Sequence, residues 1–196
     1  MGHASELAKH MREADRLEAW RAYRLDPYKA LVNGLRSSPF ACTTFIGWDI
    51  AAMWGVRPLI MPNRAWVVWA LTSHIVDRYP VAFMRASRWA IKMLLELYPV
   101  ICNMVDAEYA QALKWLRLLG FRLLEPEPFG PDGELFQFAI KSRSDHAIET
   151  GEGSTEGGVE PGEQGEAEEK EGRVGETGQG SIRLWTPTQE RVEAAR

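Results

Sequence analysis

The order of segments along this chain predicts an α/β (α+β) fold. It is a mixed sheet of about six strands flanked by helices, in the order ααβββαβαββ, with a disordered C-terminal tail. Three observations carry that reading. Apolar residues recur at helical spacing in several stretches. Short β-branched and aromatic runs of strand length lie between them. The composition then changes abruptly near Ser144.

That change divides the chain into three parts: a domain over 1–143, an acidic Gly/Glu-rich linker over 144–180, and a short terminal segment over 181–196. Residues 144–196 hold 13 of the 27 acidic residues, 5 of the 23 basic ones and 10 of the 17 glycines. The domain keeps a net charge of +4 and seven of the eight tryptophans. Such a weak positive charge does not argue for a nucleic-acid partner. Cys42 and Cys102 stand far apart without a CxxC or a paired histidine, so neither a disulfide framework nor a metal site is expected. Free thiols fit a reducing cytosol. No apolar run approaches the ~20 residues of a membrane span, and the polar N-terminus lacks the apolar core of a signal peptide.

Each element has a local cause. Glu6–Tyr23 reads as one amphipathic helix, with Ser5 as N-cap and Leu7, Met11, Leu17 and Trp20 as its apolar residues. Asp26-Pro27 starts a second helix, an acidic cap followed by proline at the first helical position. It ends near Ser37-Ser38-Pro39. Phe40–Ile46 and Ile50–Val56 flank Gly47-Trp48-Asp49 as a hairpin. Ala65–Leu71 is apolar on both faces, as a central strand is. Val81–Leu97 is a helix stopped by Pro99, and Val100–Val105 a buried strand. Asp106 is the expected cap of a helix over Ala107–Leu119, with Gly120 in the left-handed position after it. Phe121–Leu124 and Leu135–Ile140 close the sheet. In the tail, composition cannot offset chain entropy, so 144–180 is expected to be disordered. Ile182–Trp185 regains apolar residues before a capping pattern at Thr186–Gln189, and reads as a terminal helix or a short docking motif.

The stretch YPVICNMVDAEYAQALKWLRLLGFRLLEPEPFGPDGELFQFAI, Tyr98–Ile140, resembles the C-terminal half of the GNAT N-acetyltransferase fold. There a strand, a helix ending in Gly-Phe and a closing hairpin follow one another. VDAEYAQALKWLRLLGF with the downstream DGELFQF is more narrowly similar to the acetyltransferase-like family of T7-like podophages. Those proteins are tied to virion assembly and internal virion components. The likeness covers most of 1–143. It implies acetyl-CoA as cofactor, phage virion proteins or a host protein as partners, and the host cytoplasm or virion as location.

This sequence departs from the family pattern at several positions. The superfamily's pyrophosphate loop matches Arg78-Tyr79-Pro80-Val81-Ala82-Phe83. Arg78 fits its basic position, but Val81 and Phe83 fill both glycine positions and Pro80 removes a donor. Tyr109 stands where the family has an asparagine that holds the pantetheine arm. Leu116 replaces the tyrosine that protonates the leaving thiolate, and leucine cannot act as a general acid. No catalytic residue is therefore assigned. His74, just past the central strand, reads as a surface histidine. Ala70, Leu71 and Thr72 are expected to offer backbone groups to pantetheine, and Arg85, with Arg88 and Lys92, to meet phosphates. Most of Trp48, Trp54, Trp66, Trp69, Trp89 and Trp115 read as core or half-buried sheet and helix residues. The resemblance supports a degenerate acetyl-CoA site on a virion accessory or assembly protein; the alternative is an active N-acetyltransferase of unknown acceptor. The superfamily's opening strand has no counterpart before the first helix, so an open sheet edge and a homo-oligomer formed through it are also expected.

Overall fold

A computed structural model describes residues 2–59, 65–145 and 182–185. Helices α1 (Gly2–His10), α2 (Glu13–Tyr23) and α3 (Pro27–Ser37) precede the hairpin β1 (Phe40–Ile46) and β2 (Asp49–Pro58). Then come β3 (Trp66–Thr72), α4 (Ile75–Arg78), α5 (Pro80–Leu97), β4 (Val100–Asp106) and α6 (Ala110–Leu118). Two-residue strands β5 (Arg122–Leu123) and β6 (Glu127–Pro128), then β7 (Leu135–Ser142) and β8 (Ile182–Trp185), complete one sheet. Its order is β5-β7-β4-β3-β2-β1-β8, with β6 also on β7. Every pairing is antiparallel except β3 with β4.

Strand alternation sends side chains to two different layers. Trp54, Val56, Trp66, Val68, Ile101 and Val105 pack beneath α5 and α6, whose Ile91, Leu94, Leu95, Leu113 and Leu116 close that core. Met53, Trp69 and Leu71 point the other way, against Leu7 of α1 and Leu31 of α3. Gly34 lets α3 approach the sheet, since a Cβ there would sit 2.9 Å from the Trp69 ring.

Locally encoded features match their expectations. Asp26 caps α3 by accepting from the Lys29 N–H at 3.0 Å, and Gly120 is left-handed at φ 78°. Others need correction. The helix expected over Glu6–Tyr23 is two helices, and Ser5 lies inside the first. The break falls at Met11–Arg12 because Met11 bridges to Ser73 and the Arg12 N–H donates to the Thr72 carbonyl at 3.1 Å. Leu17 and Trp20 are exposed, while Asp15, Ala19 and Ala22 form the buried face of α2. Asp106 ends β4 instead of capping α6, which starts at Ala110; its carboxylate accepts from the Glu108 N–H at 2.9 Å. The polar loop after β3 contains α4.

Ile182–Trp185 is neither a helix nor a free motif but a strand on the outer edge of β1, from Ile46↔Ile182 to Thr43↔Trp185. The edge expected to stand open is therefore covered along that length by the chain itself. The expected disorder over 144–180 and the capping pattern at Thr186–Gln189 fall outside the described residues from 146 onward, except for β8. Removing residues 182–196 bares the β1 edge, and an unpaired edge is a template for another chain. Sedimentation velocity over a concentration series is expected to show self-association of the truncated chain and none of the full chain.

Candidate functional site

The parallel pair β3–β4 is joined only at Trp66↔Ile101 and Val67↔Cys102. Past that point the two strands separate and leave a notch in the middle of the sheet. Which backbone groups line it follows from alternation. The Ser73 N–H donates to Ala51 of β2 at 2.9 Å, so the odd residues of β3 bond to β2 and the even ones face the notch. Ala70 and Thr72 thus turn their amides into the notch, while Leu71 turns its own toward β2. Of the three residues expected to offer backbone groups, Ala70 and Thr72 face the notch and Leu71 does not.

Helix α2 lies across the mouth of the notch. Asp15 accepts from the Thr72 N–H at 3.0 Å, from the Thr72 hydroxyl, and from the Tyr109 hydroxyl at 3.1 Å. One turn on, Glu18 accepts from the Asp106 N–H at 2.9 Å. One carboxylate therefore holds the end of β3 and the other the end of β4. The spacing i, i+3 puts both on one face of α2, and the small side chains of Ala19 and Ala22 let that face come close to the strand ends. Arg21 flanks them, its Nε 3.0 Å from Asp106 and its guanidinium on Glu108. Arg12 lies 5.7 Å over the Tyr109 ring and 3.4 Å from Asp77.

This arrangement removes carboxylates from water. Burial pushes the Glu18 carboxyl up to about 8, only partly offset by the Asp106 N–H. Asp15 is raised as well, by burial, against the opposing pull of Thr72, Arg12 and Tyr109. The Tyr109 phenol is held above its ordinary range by burial and by the Asp15 charge. These carboxylates were not among the residues expected from the sequence. Their signal is a pair of acids three apart on the side of α2 that otherwise carries only alanines.

The remaining expected residues do not converge. Arg78 is exposed at the end of α4; Val81, Arg85, Arg88 and Lys92 are exposed on α5. Phe83 stacks on Trp115 with ring centroids 5.5 Å apart, so its bulk occupies a position where a glycine would admit phosphate. Leu116 is buried in the core. His74 is held structurally: its N–H donates to the His10 carbonyl at 3.2 Å and its ring meets the His10 ring edge-on. The amides leading up to α5 are also taken up. Those of Thr72, Ser73, His74, Ile75, Val76, Asp77 and Tyr79 all reach acceptors within the protein. With Val81 and Phe83 at the two glycine positions and Pro80 without a donor, the loop does not fit a pyrophosphate.

An open depression of about 550 Å³ lies outside the notch, lined among others by His10, Arg12, Arg16, His74 and Asp77. Trp48 and Trp89 are the exposed tryptophans of the sheet tip and α5, at 87% and 47%, and are not core. Burial pushes the Cys102 thiol up to about 11, which suits an inert residue. Among the described residues no group of three His, Cys, Asp or Glu could hold a metal ion, and no helix is long and apolar enough to cross a membrane.

With this geometry the chain has the fold of the GNAT acetyltransferases. A ribosomal-protein-alanine N-acetyltransferase from Brucella melitensis superposes with a TM-score of 0.55 at 12% identity, over 72% of this chain and 94% of that one. An N-acetyltransferase from Staphylococcus aureus Mu50 gives 0.53 at 10% identity, over 71% and 91%. A provisionally assigned acetyltransferase gives 0.56 at 14% identity, over 76% and 82%. No family model and no curated protein sequence matches the chain. The likeness is one of fold, and the site has to be judged on its own residues.

Two measurements test the carboxylate pair. For Glu18 the folded value, about 8, exceeds the ordinary 4.5, so the folded protein binds the proton more tightly than the unfolded chain. Its contribution to stability is complete below about pH 4.5 and is lost as pH rises toward 8. Glu18→Gln keeps an acceptor for Asp106 without a titrating group. Its stability relative to wild type is expected to improve steadily between those pH values in denaturant melts. Asp15→Ala instead orphans buried donors on Thr72 and Tyr109, at roughly 1–3 kcal/mol for each, and is expected to lower the melting temperature at every pH.

Proposed function

We propose that this protein is a GNAT-fold binding or assembly module whose acetyl-CoA site is degenerate, and not an acetyltransferase. The observation that carries this reading is the position of α2. The notch that would receive a pantetheine arm has its two end amides, Thr72 and Asp106, bonded to Asp15 and Glu18. Side chains at Val81 and Phe83 and the proline at 80 argue the same way for the phosphates. The similarity of VDAEYAQALKWLRLLGF to the podophage family supports the finer proposal of an accessory or internal virion protein. Its partners would then be other virion proteins or a host protein.

A second reading, an N-acetyltransferase of unknown acceptor, has one observation in its favour. A carboxyl group whose proton affinity lies near neutrality is what proton abstraction from an ammonium requires, and Glu18 at about 8 has it.

Thermal unfolding with acetyl-CoA separates the two. A ligand at 100 times its dissociation constant stabilises by about 2.7 kcal/mol. No shift at millimolar acetyl-CoA and no acetylation of a panel of amines is the expected result. Micromolar binding by calorimetry, with turnover that Glu18→Gln abolishes, would establish the second reading and overturn the first.

A further inference from the structure

Helix α5 turns an exposed stripe to solvent: Val81, Arg85, Arg88, Lys92 and Glu96 follow one another at three- and four-residue steps, with Trp89 beside Arg88. Its other face, Ser87, Ile91, Leu94 and Leu95, is buried in the core. Arg78, exposed at the end of α4, extends the stripe at its N-terminal end. The stripe is therefore basic, with Glu96 as its one acid. Among the described residues no carboxylate ion-pairs with Arg78, Arg85 or Arg88.

The chain on either side of residues 146–181 is anchored at the two ends of this helix. Arg143 is fixed at the C-terminal end: its N–H donates to the Pro99 carbonyl at 2.9 Å, and its guanidinium donates to Leu95 at 2.7 Å and Glu96 at 2.8 Å. Ile182 pairs with Ile46 of β1 and packs on the cluster of Ile46, Ala51, Ile75 and Val76, against which Tyr79 and Phe83 at the N-terminal end of α5 also pack. The intervening segment thus departs beside one end of α5 and returns beside the other. It contains ten glutamates against Lys170 and Arg173. An 18-residue helix is about 27 Å long, far less than the ~120 Å that this much chain can reach when extended.

We propose that the basic stripe of α5 is the docking surface of the chain's own acidic segment 146–181. Tethering at both ends holds the segment at an effective concentration of order mM, so many weak and interchangeable Glu–Arg contacts suffice and no single geometry is needed. An outside polyanion would have to displace a partner already held there.

Spin labelling of the full chain tests this. Cys42 and Cys102 are buried, so a nitroxide reacts selectively with Gly165→Cys in the segment. The amide signals of residues 85–92 are expected to be lost relative to the reduced-label control, while those of α3 on the opposite face are retained. The lost signals should return at about 1 M salt, where the Debye length is about 3 Å, and in Arg85→Glu/Arg88→Glu. The wild-type salt series serves as the readout should that variant fail to fold. Equal broadening of α3 and α5, or broadening of α5 that survives salt, overturns the proposal. Broadening seen only between spin-labelled and isotope-labelled copies in a mixture overturns it too.

Discussion

Where two parallel strands separate, their facing amides lose their partners, and a folded protein must supply others. In this chain Asp15 and Glu18 do so from one face of α2. Each has a cost and a return. Burying a carboxylate is unfavourable, which is why both groups hold their protons above the usual pH range. Leaving the Thr72 and Asp106 amides unpaired in the interior would cost about 1–3 kcal/mol apiece. Protonation eases the first cost without removing the second benefit, since a neutral carboxyl still accepts through its carbonyl oxygen.

The rest of α2 follows from that requirement. A helix whose inner face carries acids and alanines cannot also bury its large apolar residues, so Leu17 and Trp20 turn outward. Arg24 covers Trp20, its guanidinium 5.7 Å from the ring, and bonds to Asp132 and Glu134 beyond the sheet. Together with Arg21 on Asp106 and Glu108, this fixes α2 on the β4 side of the notch, while Asp15 on Thr72 fixes it on the β3 side. A ligand entering there would have to replace the helix as well as its hydrogen bonds.

What the sequence shows and what it hides divide along the range of the causes. The cap at Asp26-Pro27, the left-handed Gly120 and the apolar runs of β1 to β4 depend on neighbours in the chain, and all are legible. The break at Met11 is not, because its cause is Ser73, far along the chain, whose strand draws the α1–α2 junction into a bridge. Asp106 looks like a cap, and caps its own turn instead, because β4 continues through it to pair with Phe136. Four residues at 182–185 become a strand only because β1 offers an edge. The candidate site follows the same division. The losses at Val81, Phe83 and Leu116 are visible residue by residue, but nothing local reveals that α2 crosses the notch.

The return of Ile182 to the sheet changes what the acidic stretch is. Read along the sequence it trails from a finished domain; in the fold, β8 pairs with β1 and Ile182 packs on the cluster of Ile46, Ala51, Ile75 and Val76. The stretch is therefore held at both ends by described residues, and the entropy of such a closure grows only with the logarithm of its length. That tethering keeps its glutamates within reach of the cations of α5. Edge and notch are thus met by the same means: at each, a segment of this chain stands where another molecule would otherwise bind.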